Sequence, residues 1–271
     1  MSAIREATAF LLLPVVLAVI VLLPAWVYLV AVWAVSLLAA AELLAILRRV
    51  HPPTPLWPPL LLLAAALPAL WALGLAASGP VLAVVVLLLP LVHLLTGRPV
   101  AGAGGAIAAA VFAAVYFAVT GGAMGLLRTS FAGAYGWKIL LTHCLTIWGG
   151  DSGAYYVGTY FGRHRLAPVV SPKKSWEGIV GGTALSFFAV WVCRTVFFPE
   201  LPTTLGLAVA ALLSVLAPLG DLAESLFKRD AGLKDSSLAI PGHGGFLDRT
   251  DSLFFAAPFV LALFLLVRPT W

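Results

Sequence analysis

Long apolar stretches recur along this chain of 271 residues. About 20 apolar residues in a row are what a helix needs to cross the hydrocarbon core of a bilayer. Only 10% of the residues are charged, whereas about 25% is usual for a soluble domain. So few charges cannot cover a surface that faces water, and the sequence therefore predicts a protein embedded in lipid.

The apolar stretches favour helices over β-strands. Backbone groups in lipid must be hydrogen-bonded within the protein, which leaves helices or a closed barrel. The leucine, alanine and valine runs show no alternation with a period of two residues. We therefore expect an all-α, polytopic integral membrane protein with about nine transmembrane helices. The predicted spans are 8–23, 25–46, 57–76, 80–96, 101–120, 137–158, 177–197, 203–224 and 252–268.

No part of the chain has the composition of a soluble domain, so we expect a single membrane domain over residues 1–271. Residues 1–135 hold the N-terminal hydrophobic spans. Residues 136–271 hold the spans and cytoplasmic loops in which we expect the chemistry. The first apolar stretch runs through Pro24 without a convincing cleavage site, so it predicts a retained span and not a secretory signal.

Lysine and arginine residues indicate the orientation. With nine spans, twelve of the 16 fall on the N-terminal side, which predicts that this side is cytoplasmic. Eight of those twelve lie between Arg163 and Arg249, where function can also place them, and the other eight divide evenly. The net charge of +5 suits anionic headgroups and phosphorylated ligands, although membrane topology alone also produces such a balance.

All six aspartates lie between Asp151 and Asp251. Ionisable groups near membrane depth cost a few kcal/mol, so this clustering indicates function, although any single residue also fits an ordinary loop. A first polar segment places Asp151 among glycines that allow a ligand or another helix to approach. A second places Ser171, Lys173 and Lys174 just ahead of a span, where an ordinary positive-inside anchor is the alternative. We expect these four residues to contact substrate.

A third polar segment, residues 220–251, contains two pairs of carboxylates. Asp221 and Glu224 are three residues apart, as are Asp248 and Asp251, so each pair can share a helix face. Oxygen ligands without a cysteine or histidine cluster favour Mg²⁺ over zinc. Four basic residues accompany the carboxylates and favour a polyphosphate substrate: Lys228, Arg229, Lys234 and Arg249.

The same segment contains the turn Pro241-Gly242-His243-Gly244-Gly245. Its glycines give backbone N–H groups the freedom to approach phosphate oxygens, so we expect Gly244 and Gly245 to contact substrate. His243 either donates to a phosphate, acts as a base or orients the loop. The turn is neither a Walker loop nor a dinucleotide fingerprint.

The third segment resembles the signature of the CDP-diglyceride synthetases, also called phosphatidate cytidylyltransferases. The first two segments also resemble stretches found in that family. The residues of the third segment that match are Ser225, Lys228, Arg229, Lys234, Asp235, Ser237, Ile240, Pro241, His243, Gly244, Gly245, Asp248, Arg249 and Asp251.

The resemblance implies an inner-membrane enzyme that makes CDP-diacylglycerol and pyrophosphate from CTP and phosphatidic acid, with Mg²⁺ as cofactor. It implies that Asp221 and Asp248 bind the metal, and we extend this set to Asp251. We expect the active site to face the cytoplasm, with the lipid bilayer and no nucleic acid as partner, and a homodimer as the default assembly. The expected catalytic residues are Asp221, Asp248, Lys228, Arg229, Lys234, His243 and Arg249.

Three other functions are possible for a membrane protein of this composition. A transporter would place ionisable residues near the midplane of several spans, whereas here they gather near one face. A CDP-alcohol phosphotransferase would contain an Asp-Gly pair, which this chain lacks. A polyprenyl transferase would show DxxxD-like motifs, and the spacing of Asp248 and Asp251 is one residue short of that.

Overall fold

The computed structural model describes residues 13–240, Gly242 and 244–267. His243 and the first part of the predicted span 8–23 lie outside the described residues. Helices account for most of the described chain: α1 (13–21), α2 (Ala25–Val50), α3 (Trp57–Leu73), α4 (Ser78–Leu95), α5 (Ala103–Thr129), α6 (Tyr135–Phe161), α7 (Trp176–Val196), α8 (Thr203–Asp230) and α9 (Leu247–Val267).

The breaks between helices follow the local chemistry of the sequence. Helix α2 begins directly after Pro24 and ends at the proline-rich run that follows His51. Prolines occupy the first turn of α3, where a missing N–H costs nothing. Gly74, with a φ of 70°, ends that helix because glycine adopts the left-handed region without strain.

The prediction of an all-α membrane protein is confirmed, whereas the count of nine spans is not. Helix is present in the described part of every predicted span. Within the described residues, however, only six helical stretches are long and apolar enough to cross a membrane: Ala25–Val50, Leu75–Leu95, Ala103–Thr129, Trp176–Val196, Thr203–Asp230 and Leu247–Val267. Helix α3 is shorter, and α6 has polar residues throughout its length.

A small β-hairpin, which the all-α prediction did not include, joins α6 to α7. Its strands are β1 (Arg165–Ala167) and β2 (Ser171–Ser175), and they pair antiparallel. The backbone N–H of Trp176 donates to the carbonyl oxygen of His164 at 2.9 Å and continues the hairpin into α7.

The described residues form two compact units. The first unit comprises residues up to Ser130 together with Phe227–Thr250. The second unit comprises Phe131–Leu226 together with the residues from Asp251 onward. The sequence-based division at residues 135 and 136 stays a prediction.

The first unit is built on packing between α2, α3 and α5. Polar side chains within it bond to backbone carbonyls on a neighbouring helix, which satisfies them away from water. Tyr28 on α2 donates to the carbonyl oxygen of Met124 on α5, and Trp33 donates to that of Ala64 on α3.

The second unit contains a close packing of α6 against α7. Gly153 on α6 lies so near the carbonyl group of Gly181 on α7 that a side chain at position 153 would overlap it. Small residues allow this approach between helices. This packing holds the two ends of the hairpin that connects α6 to α7.

Candidate functional site

Three carboxylates of the second unit lie together. Asp221 and Glu224 on α8 and Asp251 on α9 each offer an oxygen, and these oxygens lie within 4.8 Å of one another. Glu224 is buried, while the two aspartates are partly buried. Asp221 and Glu224 share one face of α8 because three residues make almost one helical turn.

Gly220 allows α8 and α9 to meet at this point. A methyl group at position 220 would lie 2.8 Å from Cβ of Phe255 and 3.1 Å from the carbonyl oxygen of Asp251. The hydroxyl of Ser252 donates to the carbonyl oxygen of Ala217 at 3.0 Å and links the same two helices. The close approach places Asp251 beside the residue that follows the glycine.

These three carboxylates fit a hard divalent cation. All the ligand atoms are oxygens, which Mg²⁺ prefers. Among the residues that the structure describes, the cluster contains no thiol or imidazole. Asp221 and Asp251 are two of the three metal ligands that the sequence analysis proposes. Glu224, which shares a helix face with Asp221, is not in that predicted set of ligands.

Lys174 of strand β2 pairs with this cluster. Its ammonium nitrogen lies 2.8 Å from Oδ2 of Asp221 and donates to the carbonyl oxygen of Pro218 at 3.1 Å. Lys173 is exposed, since neighbouring residues on a strand point to opposite faces. The two adjacent lysines therefore have different environments.

The base of the hairpin is held by α7. Ser175 caps this helix by accepting a hydrogen bond from the N–H of Gly178 at 3.1 Å. Glu177 accepts from the backbone N–H groups of Arg163 and His164 and contacts Nδ1 of His164 at 2.6 Å. These contacts fix the strand that carries Lys174.

Asp248, in the first unit, has a different environment from the three clustered carboxylates. Its Oδ1 lies 2.5 Å from the ammonium nitrogen of Lys228. Its Oδ2 accepts from the N–H of Ser236 at 2.9 Å and from the N–H of Gly245 at 2.8 Å, and the hydroxyl oxygen of Ser236 lies 2.8 Å from it. Both members of the ion pair are buried, with side chains 9% and 6% exposed for Lys228 and Asp248.

Glu42 of α2 joins this network although it lies almost 200 residues away in sequence. Its Oε1 accepts from the hydroxyl of Ser237 at 2.7 Å and from the N–H of Phe246 at 3.1 Å. Its Oε2 accepts from the hydroxyl of Ser236 and the N–H of Leu247, both at 2.8 Å. One carboxylate thus holds both ends of the segment from Ser236 to Leu247.

The remaining predicted residues lie mostly at exposed positions. Arg229, Lys234 and Arg249 are exposed, and Arg229 donates to the carbonyl oxygen of Leu233 at 2.9 Å. Gly244 has a φ of 82°, and its carbonyl oxygen accepts from the N–H of Ile240, which closes the turn. The role predicted for His243 falls outside the described residues.

Asp151 and Ser171 both belong to the second unit. Asp151 lines a recess formed by α6, α7 and α8, together with Gly150, Ser186 and Ser214. Ser171 is partly buried at the start of β2. Of the predicted residues, the structure therefore brings Asp221, Asp251 and Lys174 together in the second unit, and Lys228, Asp248 and Gly245 together in the first. Their roles stay predictions.

Glu224 and Glu42 are not among the predicted site residues, although the sequence contains a signal for each. Glu224 lies three residues after Asp221. Glu42 is the only acidic residue of α2, an otherwise apolar helix that ends in two arginines. A lone carboxylate in such a helix is expected to have a partner, because it is costly in lipid. Its partner is far away in sequence, so spacing could not identify it.

The sequence of this chain matches one protein family over most of its length. The sequence model of the cytidylyltransferase family matches residues 3–267 of this chain. A phosphatidate cytidylyltransferase of Haemophilus influenzae is 44% identical over 129 residues, which cover 46% of this chain and 45% of that protein. One of Bacillus subtilis is 42% identical over 133 residues, which cover 48% of this chain and 49% of that protein.

A third relative, the phosphatidate cytidylyltransferase of Synechocystis sp., is 46% identical over 127 residues, covering 45% of this chain and 42% of that protein. The chain thus spans about half the length of the curated relatives it matches. The match to the family model, in contrast, extends over nearly all of the chain. This match shows that the chain belongs to the cytidylyltransferase family.

Proposed function

We propose that this protein is a phosphatidate cytidylyltransferase that makes CDP-diacylglycerol and pyrophosphate from CTP and phosphatidic acid. The observation that carries the proposal is the cluster of Asp221, Glu224 and Asp251, with Lys174 paired to it, in a chain of the cytidylyltransferase family. Carboxylates suit a metal ion and a lysine suits phosphate groups, so the two together suit a substrate whose phosphates bind a metal. The curated relatives that bear this name support the choice of lipid substrate.

In the proposed reaction, an oxygen of the lipid phosphate attacks the α-phosphorus of CTP. A new P–O bond forms there while the bond from the α-phosphorus to the bridging oxygen breaks, and pyrophosphate leaves with that electron pair. The nucleophile is already anionic, so the protein need not remove a proton from it. Its main tasks are to align the two substrates and to neutralise their charge.

The carboxylates of Asp221, Glu224 and Asp251 fit Mg²⁺ by their chemistry and their proximity. When bound, this ion supplies Lewis-acid polarisation of phosphate oxygens. Asp248 was also predicted as a metal ligand from the resemblance, and we keep that role as a proposal. In the structure described here its oxygens accept hydrogen bonds from Lys228, Ser236 and Gly245.

The cationic side chains would neutralise phosphate oxygens. We propose that Lys228, Arg229, Lys234 and Arg249 hold the triphosphate, and that Lys173 and Lys174 hold the lipid phosphate or pyrophosphate. Lys174 and Lys228 are each already paired with an aspartate, which orients their ammonium groups before substrate arrives. Such preorganisation reduces the cost of ordering a flexible lysine side chain.

The apolar helices place the protein in a membrane, and we propose the cytoplasmic membrane with the active site facing the cytoplasm. CTP is a soluble, highly charged nucleotide that can reach the site only from water. Phosphatidic acid is a lipid that reaches the site from the bilayer. A site at the cytoplasmic ends of the helices is accessible to both.

The direct test uses the purified protein in detergent, with phosphatidic acid, Mg²⁺ and CTP labelled at the α-phosphorus. We expect the label to move into a lipid that co-migrates with CDP-diacylglycerol, with one pyrophosphate released for each lipid formed. A chelator should abolish the transfer, and added Mg²⁺ should restore it. Absence of labelled lipid from folded protein would exclude the proposed function, as would transport of a solute without turnover of CTP.

A further inference from the structure

The carboxylate of Glu42 is held by several hydrogen bonds from one distant segment of the chain. Its two oxygens accept four hydrogen bonds, all from residues between Ser236 and Leu247, at 2.7 to 3.1 Å. Two donors are hydroxyl groups and two are backbone N–H groups. A carboxylate in an apolar helix is costly unless hydrogen bonds compensate it, and here four do.

Two of the donors lie at the start of α9. Phe246 directly precedes the helix and Leu247 is its first residue, and backbone N–H groups at a helix start have no partner within the helix. Glu42 therefore caps α9 from a different helix. Its negative charge also interacts favourably with the positive end of the helix dipole.

The same carboxylate reaches Asp248 through one residue. The hydroxyl oxygen of Ser236 lies 2.8 Å from Oε2 of Glu42 and 2.8 Å from Oδ2 of Asp248. Asp248 in turn contacts the ammonium group of Lys228. The chain Glu42–Ser236–Asp248–Lys228 thus connects helix α2 to two predicted catalytic residues.

Gly245 shows that the segment is shaped around Glu42. Its N–H donates to Oδ2 of Asp248 at 2.8 Å. A side chain at position 245 would overlap the hydroxyl of Ser236 and the carboxylate of Glu42. A side chain at position 245 would therefore displace these two groups from their present contacts.

From these contacts we infer that Glu42 is a positioning residue for cytidylyl transfer, which holds the segment from Ser236 to Leu247 so that Asp248 and Lys228 are correctly placed. This inference rests on the proposed function. Glu42 itself acts through Ser236 and the backbone of the segment and is not assigned a contact with substrate.

The Glu42→Gln variant separates this role from a contribution to stability alone. The amide group places a donor opposite the N–H or hydroxyl donors of the segment, so at least one hydrogen bond is lost. We expect kcat to fall by about 10–100-fold, the usual effect of removing a residue that orients a reacting group. The KM for phosphatidic acid should change less than about twofold, because the hairpin lysines are the proposed lipid contacts.

Ser236→Ala tests whether Glu42 acts through Ser236. If it does, the effects of Glu42→Gln and Ser236→Ala on kcat are less than additive in the double variant. The matched control is Glu200→Gln, which alters a carboxylate that pairs with Lys138 in the second unit. That control should keep the kinetic constants of the unaltered protein.

Trypsin cleavage after Lys234 and Arg249, which flank the segment from Ser236 to Leu247, gives a readout that does not depend on activity. Glu42→Gln should increase the cleavage rate at these two sites, and Glu200→Gln should not. If folded Glu42→Gln protein keeps the unaltered kcat, or loses only thermal stability, the positioning role is overturned. If Glu42→Gln does not fold, Ser237→Ala removes one of the four donors, and an unchanged kcat in that variant overturns the role.

Failure of the proposed function gives a different result from failure of this inference. If the unaltered protein forms no CDP-diacylglycerol, the proposed function is excluded, and with it a role in that reaction. If the unaltered protein is active while Glu42→Gln is equally active and equally resistant to trypsin, only the inference about Glu42 is excluded.

Discussion

Lys174 and Asp221 form an ion pair with 2.8 Å between the ammonium nitrogen and a carboxylate oxygen. The contact joins the hairpin between α6 and α7 to the face of α8 that carries the carboxylate cluster. It also distinguishes Lys174 from its neighbour Lys173, which is exposed. The two lysines look equivalent in sequence but not in structure.

The first prediction concerns this pair of lysines. Lys174→Met should lower kcat on the order of 10²-fold, the usual effect of removing one charged or hydrogen-bonding group that stabilises a transition state. Lys173→Met is the matched control, and we expect a smaller effect because its side chain is exposed. Steady-state assays with CTP and phosphatidic acid measure both variants. Equal losses in the two variants would contradict the distinction.

The second prediction concerns Glu224 as a metal ligand. Glu224→Gln removes one charged oxygen from the cluster with Asp221 and Asp251, so the affinity for Mg²⁺ should fall by about tenfold or more. The Mg²⁺ concentration that gives half-maximal activity should rise accordingly. Stabilisation of the protein by Mg²⁺ in a thermal melt should require the same higher concentration, which checks binding without turnover.

Asp230→Asn is the control for that experiment, since Asp230 is an exposed carboxylate at the end of the same helix. It should leave the Mg²⁺ dependence unchanged. Identical Mg²⁺ curves for Glu224→Gln and the unaltered protein would remove Glu224 from the proposed ligand set.

The sequence was sufficient for the parts of the site that depend on local spacing. A separation of three residues predicts that Asp221 and Glu224 share one helix face, and the same separation pairs Asp251 with Asp248. The pairing of Glu42 with Ser236 could not be predicted in this way, because it joins residues 194 positions apart. Such contacts depend on tertiary packing, and they produce no regular spacing of residues that could be recognised in the sequence.

The hairpin and the number of spans were difficult to predict for related reasons. Strands of three and five residues, with Pro172 inside the second, have little intrinsic preference for a sheet. They form where α7 fixes their base through Glu177. Helix α6 is long enough to span a membrane, but it contains Lys138, His143 and Asp151. Its hydropathy is therefore too low for it to count among the six candidate spans.

The third prediction is a pH dependence of stability. A hydrogen bond from Lys138 holds the pKa of Glu200 below its ordinary value of 4.5. A carboxylate with a lowered pKa stabilises the fold above its ordinary pKa, and this contribution is lost as the pH falls through the lower folded-state value. The difference in Tm between the unaltered protein and Glu200→Gln should therefore be present at neutral pH and should shrink below about pH 4.5.

Lys138→Met provides a second route to the same result, because it removes the donor in place of the acceptor. The two single variants should show the same change with pH, and the double variant should show no further change. A difference in Tm that stays constant down to strongly acidic pH would contradict the assignment of this effect to the ion pair.

The fourth prediction separates the stabilising and catalytic contributions of Lys228 and Asp248. Both side chains are buried, so Lys228→Met leaves an unpaired charge and should destabilise the protein by about 3–5 kcal/mol. Adding Asp248→Asn removes that charge and should restore much of the lost Tm. Activity should not return, because both residues are proposed to act in catalysis. Arg229→Met, at the exposed neighbouring position, should change Tm little. Recovery of turnover together with Tm in the double variant would limit this buried pair to a structural role.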